Sequence, residues 1–213
     1  MNYIKLARIC SKHILHRISD STYFSINNWL LPIRLTQVKV KKKMAISGRA
    51  KEDQKYDGSS LKVAIVHARW NEEVIDSLVT GCVNRLKELG VKENNIIVES
   101  VPGSYELPVG VASLAKEKDV DAIVAIGCLI KGDTMHFEYI SEAVSNQLMS
   151  IQFKIGKPVI FGLLTCLTYE QAKARAGLIP GVAHNHGVDW GECAVEMVVK
   201  YGKGLNSLIN SKD

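Results

Sequence analysis

The sequence predicts an α/β fold of three layers, αβα, with a central four-stranded parallel sheet between helices. Three observations carry this: four short β-branched or apolar runs, helical spacing of apolar residues between them, and turn or capping residues at the joints. Strands that alternate with helices pair in parallel, because each crossover helix returns the chain to the same end of the sheet.

Taken in order, Lys62-Val-Ala-Ile-Val-His67 reads as the first strand. Asn71 is the expected cap of a helix whose apolar residues Val74, Ile75, Leu78, Val79, Cys82, Val83, Leu86 and Leu89 recur at helical spacing until Gly90. Ile96 to Val101 forms the second strand, closed by Pro102-Gly103. A short helix follows from about Ser104 to Lys118, with Pro108 tolerable only near its first turn. Asp121 to Ile126 is apolar almost throughout, as a strand covered on both faces must be, and the next helix opens near Thr134. Val159 to Leu164 is the fourth strand; Thr168 and Gln171 form a capping box for a helix that Gly177 stops. A last helix runs from about Gly187 to Tyr201.

The 213 residues, 46% of them hydrophobic, suffice for one domain plus an extension. The formal charge of +5 is misleading. Residues 1–43 hold nine basic side chains against Asp20 alone, so the remainder is mildly acidic and offers no duplex-binding surface. That basic, acid-poor leader has the composition of a mitochondrial transit peptide, or is an idle extension ahead of a second start at Met44. Residues 45–60 read as a polar arm, with disorder expected over most of this region. Five cysteines without a Cys-x-x-Cys pair fit a reduced, intracellular compartment, and no apolar run approaches the roughly 20 residues of a membrane span. The expected divisions are a leader over 1–57, a domain over 58–204 and a tail over 205–213.

Ligands of such sheets sit outside the carboxyl ends of the strands, so the following loops hold the candidates. Trp70 offers a flat face for a heterocycle, or simply covers a helix start. In Pro102-Gly-Ser-Tyr-Glu106, Ser104 and Tyr105 can present amide N–H groups and Glu106 can accept from hydroxyls; an ordinary Pro-Gly turn explains the same residues. Gly132-Asp-Thr134 precedes a helix N-terminus suited to phosphate, with the Asp133 side chain expected outside, and His136 in the first turn can move protons. Arg175 is either a phosphate fork or a partner for its helix dipole. Cys128 reads as a small buried hydrophobe or a nucleophile. His184-Asn-His186 with Asp189 invites a metal reading, but no other Cys or His falls at a supporting spacing, and no metal is assigned. Nucleophile-elbow, P-loop and dinucleotide-binding glycine motifs do not occur.

In this order, His67-Ala-Arg-Trp-Asn71, Val101-Pro-Gly-Ser-Tyr-Glu-Leu-Pro108, Gly127 to Tyr139, Pro158 to Gly162, Glu170 to Gly177 and Asn185-His-Gly187 resemble lumazine synthase, over about Asp57 to Gly202. The resemblance implies a flavodoxin-like sheet and no cofactor. It implies condensation of 5-amino-6-(D-ribitylamino)uracil with L-3,4-dihydroxy-2-butanone 4-phosphate to 6,7-dimethyl-8-ribityllumazine, phosphate and water. It implies that Trp70 stacks on the pyrimidine, that Ser104, Tyr105 and Glu106 hold ring and ribityl chain, and that Cys128, Leu129 and Ile130 line the ring through their backbone. Asp133, Thr134 and Arg175 would bind phosphate, His136 would shuttle protons, and Phe161 would come from a neighbouring subunit. Trp70 and His184-Asn-His-Gly187 resemble the fungal branch, and Met44-Ala a usual fungal start.

Two departures matter. His186 stands where many members carry lysine, so a permanent positive charge there becomes dependent on pH. The six residues between Gly177 and His184 exceed the length found in capsid-forming members, which implies a homopentamer with sites at subunit interfaces. The rival reading is a flavodoxin-like module that retains riboflavin or a lumazine without turning it over. The expected location is the cytoplasm, or the mitochondrion if the leader targets it.

Overall fold

The computed structural model describes residues 55–210. The basic leader over 1–43, the arm as far as Gln54 and residues 211–213 lie outside the described residues. Along the chain come β1 (Val63–Ala68), α1 (Glu72–Glu88), β2 (Ile96–Val101), α2 (Leu107–Glu117), β3 (Ala122–Ile130), α3 (His136–Ile155), β4 (Val159–Cys166), α4 (Tyr169–Arg175) and α5 (His186–Asn210). Short 3-10 turns occupy Glu93–Asn95 and Ser104–Glu106. Every strand pair is parallel and the order is β2-β1-β3-β4. This is the predicted αβα class.

The strand period of two explains the layers. Val63 and Ile65 of β1 face a cluster with Ala122, Val124 and Ile126 of β3 and with Val74, Ile75, Leu78, Cys82 and Leu86 of α1; Ala194 and Val195 of α5 complete it. The alternate residues Ala64, Val66, Ile123 and Ala125 face Leu107, Val111 and Leu114 of α2 and Val144 and Leu148 of α3. Both faces are therefore covered, which is why β1 and β3 are apolar without alternation. Each large aliphatic side chain fully buried here contributes about 1.5–3 kcal/mol. β2 lies at an edge, and its Glu99 and Ser100 are exposed.

Several ends differ from the sequence reading. α2 starts at Leu107 after a 3-10 turn rather than at Ser104, which puts Pro108 in the first helical turn, where its missing N–H costs nothing. β3 runs four residues past Ile126 because Gly127 to Ile130 continue to pair with Leu163 to Cys166 of β4. α3 begins at His136, and α5 reaches Asn210, beyond the expected Tyr201. Gly90 and Gly177 end their helices as expected, both with positive φ (93° and 71°). The arm is already docked at its last residues: Tyr56 is buried against the α1 side of the core, with the Lys200 ammonium 5.1 Å from its ring centroid, and the Gly58 N–H donates to the Leu89 carbonyl. Among the described residues no helix is long and apolar enough to cross a membrane.

Candidate active site

The sheet order turns back between β1 and β3, and there the carboxyl ends of two adjacent strands leave a crevice. Asn71 spans it. The residue adopts left-handed backbone angles (φ 62°, ψ 50°) at the N-cap position of α1, but its side chain makes no cap. Instead Nδ2 donates to the Cys128 carbonyl at 3.0 Å. The expected helix cap is thus a tie between the loop after β1 and the end of β3. Asparagine is among the few residues that enter this backbone region readily. Trp70, one residue earlier, stands on the surface at 73% exposure.

The loop after β2 meets Trp70. A β-carbon at Gly103 would lie 3.1 Å from Glu106 Oε2 and 3.4 Å from Trp70 Cδ1, so the carboxylate and the indole approach the same buried glycine. Ser104 is buried, and its hydroxyl has no hydrogen-bond partner among the described residues. A β-carbon at Gly127 would come 2.8 Å from that oxygen, which places Ser104 against the end of β3. Tyr105 is exposed and, with Val109, Tyr139 and Asn146, lines a groove of about 690 Å³ between α2 and α3.

The Gly127–Tyr139 segment divides into a buried strand end and an exposed turn. Burial pushes the Cys128 thiol up to about 12, with the neighbouring Cys166 adding to the shift. A buried thiol held protonated is no nucleophile, so this side chain is a small buried hydrophobe, while its carbonyl accepts from Asn71. Leu129 and Ile130 are half-buried. The Lys131 N–H donates to the Cys166 carbonyl at 2.9 Å, and its ammonium pairs with Glu138. Asp133, Thr134 and His136 are exposed, and the His136 N–H lies 3.4 Å from Thr134 Oγ1 at the opening of α3. The N–H groups of this first turn have no partners within the helix.

Phe161 lies apart. It pairs with Ala125 in mid-sheet, five residues before the end of β4, and is 46% exposed. At about 3.3 Å per residue, that is roughly 16 Å short of the strand's carboxyl end. Arg175 and His186 are neighbours, because Ala176 and Asn185 form an antiparallel bridge. Arg175 donates to the Gln171 carbonyl of its own helix at 3.2 Å. Burial holds His186 below the usual imidazole range, opposed by Asp189 and reinforced by His184 and Arg175. Within one chain, then, Trp70, Ser104, Glu106 and Cys128 are drawn together and Arg175 acts on the Cys166 thiol at the carboxyl end of β4, whereas Phe161 stands in mid-sheet.

The sequence reading passed over Asn185. Its Nδ2 donates to the Ser77 carbonyl of α1 at 2.7 Å, and its Oδ1 accepts from the Gly187 N–H at 2.7 Å. It also passed over Glu73, which accepts from the Tyr169 hydroxyl at 2.7 Å and pairs with Lys173 at 3.5 Å, joining α1 to α4. Both are contacts between residues roughly a hundred positions apart, for which no local pattern exists.

The family model described as 6,7-dimethyl-8-ribityllumazine synthase matches residues 60–201. A 6,7-dimethyl-8-ribityllumazine synthase of Schizosaccharomyces pombe is 55% identical over 67% of this chain and 89% of its own length. Its counterpart from Pyricularia oryzae is 47% identical over 69% of this chain and 91% of its own length. The protein of that name from Coxiella burnetii is 42% identical over 66% of this chain and 91% of its own length. With two thirds of its residues inside the family model and relatives matched over most of their length, this chain belongs to the 6,7-dimethyl-8-ribityllumazine synthase family.

Proposed function

We propose that this chain condenses 5-amino-6-(D-ribitylamino)uracil with L-3,4-dihydroxy-2-butanone 4-phosphate to give 6,7-dimethyl-8-ribityllumazine, phosphate and water in riboflavin biosynthesis. The observation that carries the reading is the convergence of Trp70 and Glu106 on Gly103, beside the crevice that Asn71 and Cys128 close. An indole face suits the pyrimidine, a carboxylate suits the ribityl hydroxyls, and backbone groups of Ser104, Tyr105 and Cys128 to Ile130 suit the ring edge. Because the Ser104 hydroxyl faces Gly127, its contribution is assigned to the backbone.

Phosphate binding is assigned to Asp133 and Thr134 through the N–H groups that open α3, joined by Arg175 and His186. Phe161 is supplied by a neighbouring copy in this reading, and its distance from the crevice supports it. The six residues after Gly177 favour a homopentamer of the fungal type. Catalysis is assigned to residues 58–204, none of it to the leader over 1–57 or the tail over 205–213. The compartment is the cytoplasm, or the mitochondrion if the leader is cleaved on import.

The chemistry proceeds by attack of a uracil amine on the ketone, loss of water to an imine, elimination of phosphate to an enol that tautomerises to a new ketone, and attack of the second amine on that ketone with loss of a second water to close the ring. Holding the two molecules in reacting geometry is the largest contribution, worth up to about 7–11 kcal/mol when alignment is ideal. His136 transfers protons, typically ~10²–10⁴-fold. Mixing the purified full chain with both substrates and following the absorbance of the lumazine tests the proposal. Product formation above the uncatalysed rate supports it; binding of a lumazine without turnover would replace it with a storage module.

A further inference from the structure

Of the side chains at the start of α5 the proposed function uses His186 alone, yet three of ligating type meet there. His184 Nε2 lies 2.6 Å from Asp189 Oδ2, and His186 Nδ1 lies 3.8 Å from the same oxygen. All three ligating atoms fall within 4.8 Å of one another, and the two imidazole rings stack with centroids 5.0 Å apart. We propose that His184, His186 and Asp189 form a binding site for one divalent transition-metal ion of the zinc type.

The geometry is close to what such an ion requires. With bonds of about 2.0–2.1 Å, a tetrahedral zinc ion holds its ligand atoms about 3.3 Å apart. The observed separations bracket that value, so rotations of partly exposed side chains by about an ångström complete the set. Two imidazoles and one carboxylate select zinc, nickel or copper over magnesium and calcium, which take oxygen ligands. Three protein ligands leave a fourth position for water or an anion.

The backbone that carries the ligands is anchored. His186 opens α5 and Asp189 follows three residues later on the same helical face. Between the two histidines, Asn185 is fixed to Ser77 and to the Gly187 N–H, and its backbone bridges Ala176. His184 is therefore held beside the helix it precedes, and ordering the site costs only side-chain freedom.

The test uses the full chain without an affinity tag, stripped of metal and dialysed against Zn²⁺, with Co²⁺ as a spectroscopic substitute. The expected result is one ion per chain and the intense visible bands of four-coordinate Co²⁺. His184→Ala and Asp189→Asn should each weaken binding by about tenfold or more. Both residues are partly exposed, so the variants should unfold at the wild-type temperature. Zn²⁺ uptake equal in the wild type and the double variant, or a Co²⁺ spectrum identical to that of the free aqueous ion, would overturn the site. Since the readout is bound metal and not turnover, either result leaves the lumazine assignment where it stands.

Discussion

Asn71 and Cys128 are 57 residues apart in the chain, yet the side-chain amide of the first donates to the carbonyl of the second and closes the crevice between β1 and β3. Two requirements meet at Asn71, the left-handed backbone and the amide donor. Asn71→Gly keeps the first and loses the second, at a cost near the 0.5–1.5 kcal/mol of about one net hydrogen bond. Asn71→Ala loses both and should cost about 1–2 kcal/mol more. Urea unfolding of the two variants checks this; coincident midpoints would remove the backbone from the explanation.

Trp70 contributes little to folding, since 73% of it faces solvent. Trp70→Ala should leave stability within about 0.5 kcal/mol of wild type. If the indole stacks on the pyrimidine, loss of about 0.5–1.5 kcal/mol raises KM for the ribitylaminouracil severalfold to roughly tenfold and leaves KM for the butanone phosphate unchanged. Trp70→Phe should recover most of the loss in steady-state assays with each substrate varied.

His136 and Arg175 should separate by kinetic parameter. His136→Ala is expected to lower kcat by about 10²-fold or more without abolishing turnover, because approximation of the substrates survives. Arg175→Ala removes a charged donor worth about 1.5–3 kcal/mol and should raise KM for the phosphorylated substrate about 10–100-fold. An Arg175 variant with unaltered KM for that substrate would leave Arg175 with the task the structure shows, its hydrogen bond to the Gln171 carbonyl.

Cys82 and Cys128 are both pushed up to about 12 by burial. A raised thiol pKa means that the reactive thiolate is scarce at pH 8 and that access requires unfolding. Iodoacetamide at pH 8 should therefore leave both unlabelled in the native protein and label them in denaturant, as read by peptide mass spectrometry. Cys128→Ala should keep turnover within a few-fold of wild type.

The strands and helices were legible because their patterns are local. The apolar run from Asp121 to Ile126 announces a doubly covered strand, and Pro108 announces a first turn. The end of β3 was not, since Gly127-Cys-Leu-Ile130 resembles a loop until β4 is there to pair with it. Thr168 and Gln171 show how far a motif carries. The Gln171 N–H does lie 3.3 Å from Thr168 Oγ1, but the Gln171 side chain accepts from Leu167, one residue before the cap. In the site, residue types were readable and partners were not. Ser104 reads as an amide donor at a helix start, with no local sign that its hydroxyl is buried against Gly127, and His184 and Asp189 meet only because Asn185 is fastened to α1.

Gly187 shows how tightly that fastening is drawn. A β-carbon there would lie 2.0 Å from the Leu78 carbonyl oxygen, a backbone atom that cannot swing aside. Gly187→Ala should cost at least the ~1–3 kcal/mol of an overpacked core and show as a large fall in unfolding midpoint or as insoluble protein.

The same contact recurs along α1 and α5. A β-carbon at Gly191 would stand 2.8 Å from the Cys82 carbonyl, and one at Gly81 would strike the Asn185 amide. Three glycines thus bring two helices together almost spine to spine. One end of α1 carries Trp70, and the start of α5 carries His186. Neither can slide without the other, so any bulk gained along this line, far from substrate, would be felt at both ends of the helix pair. The spacing between those two ends is thus set when the chain folds.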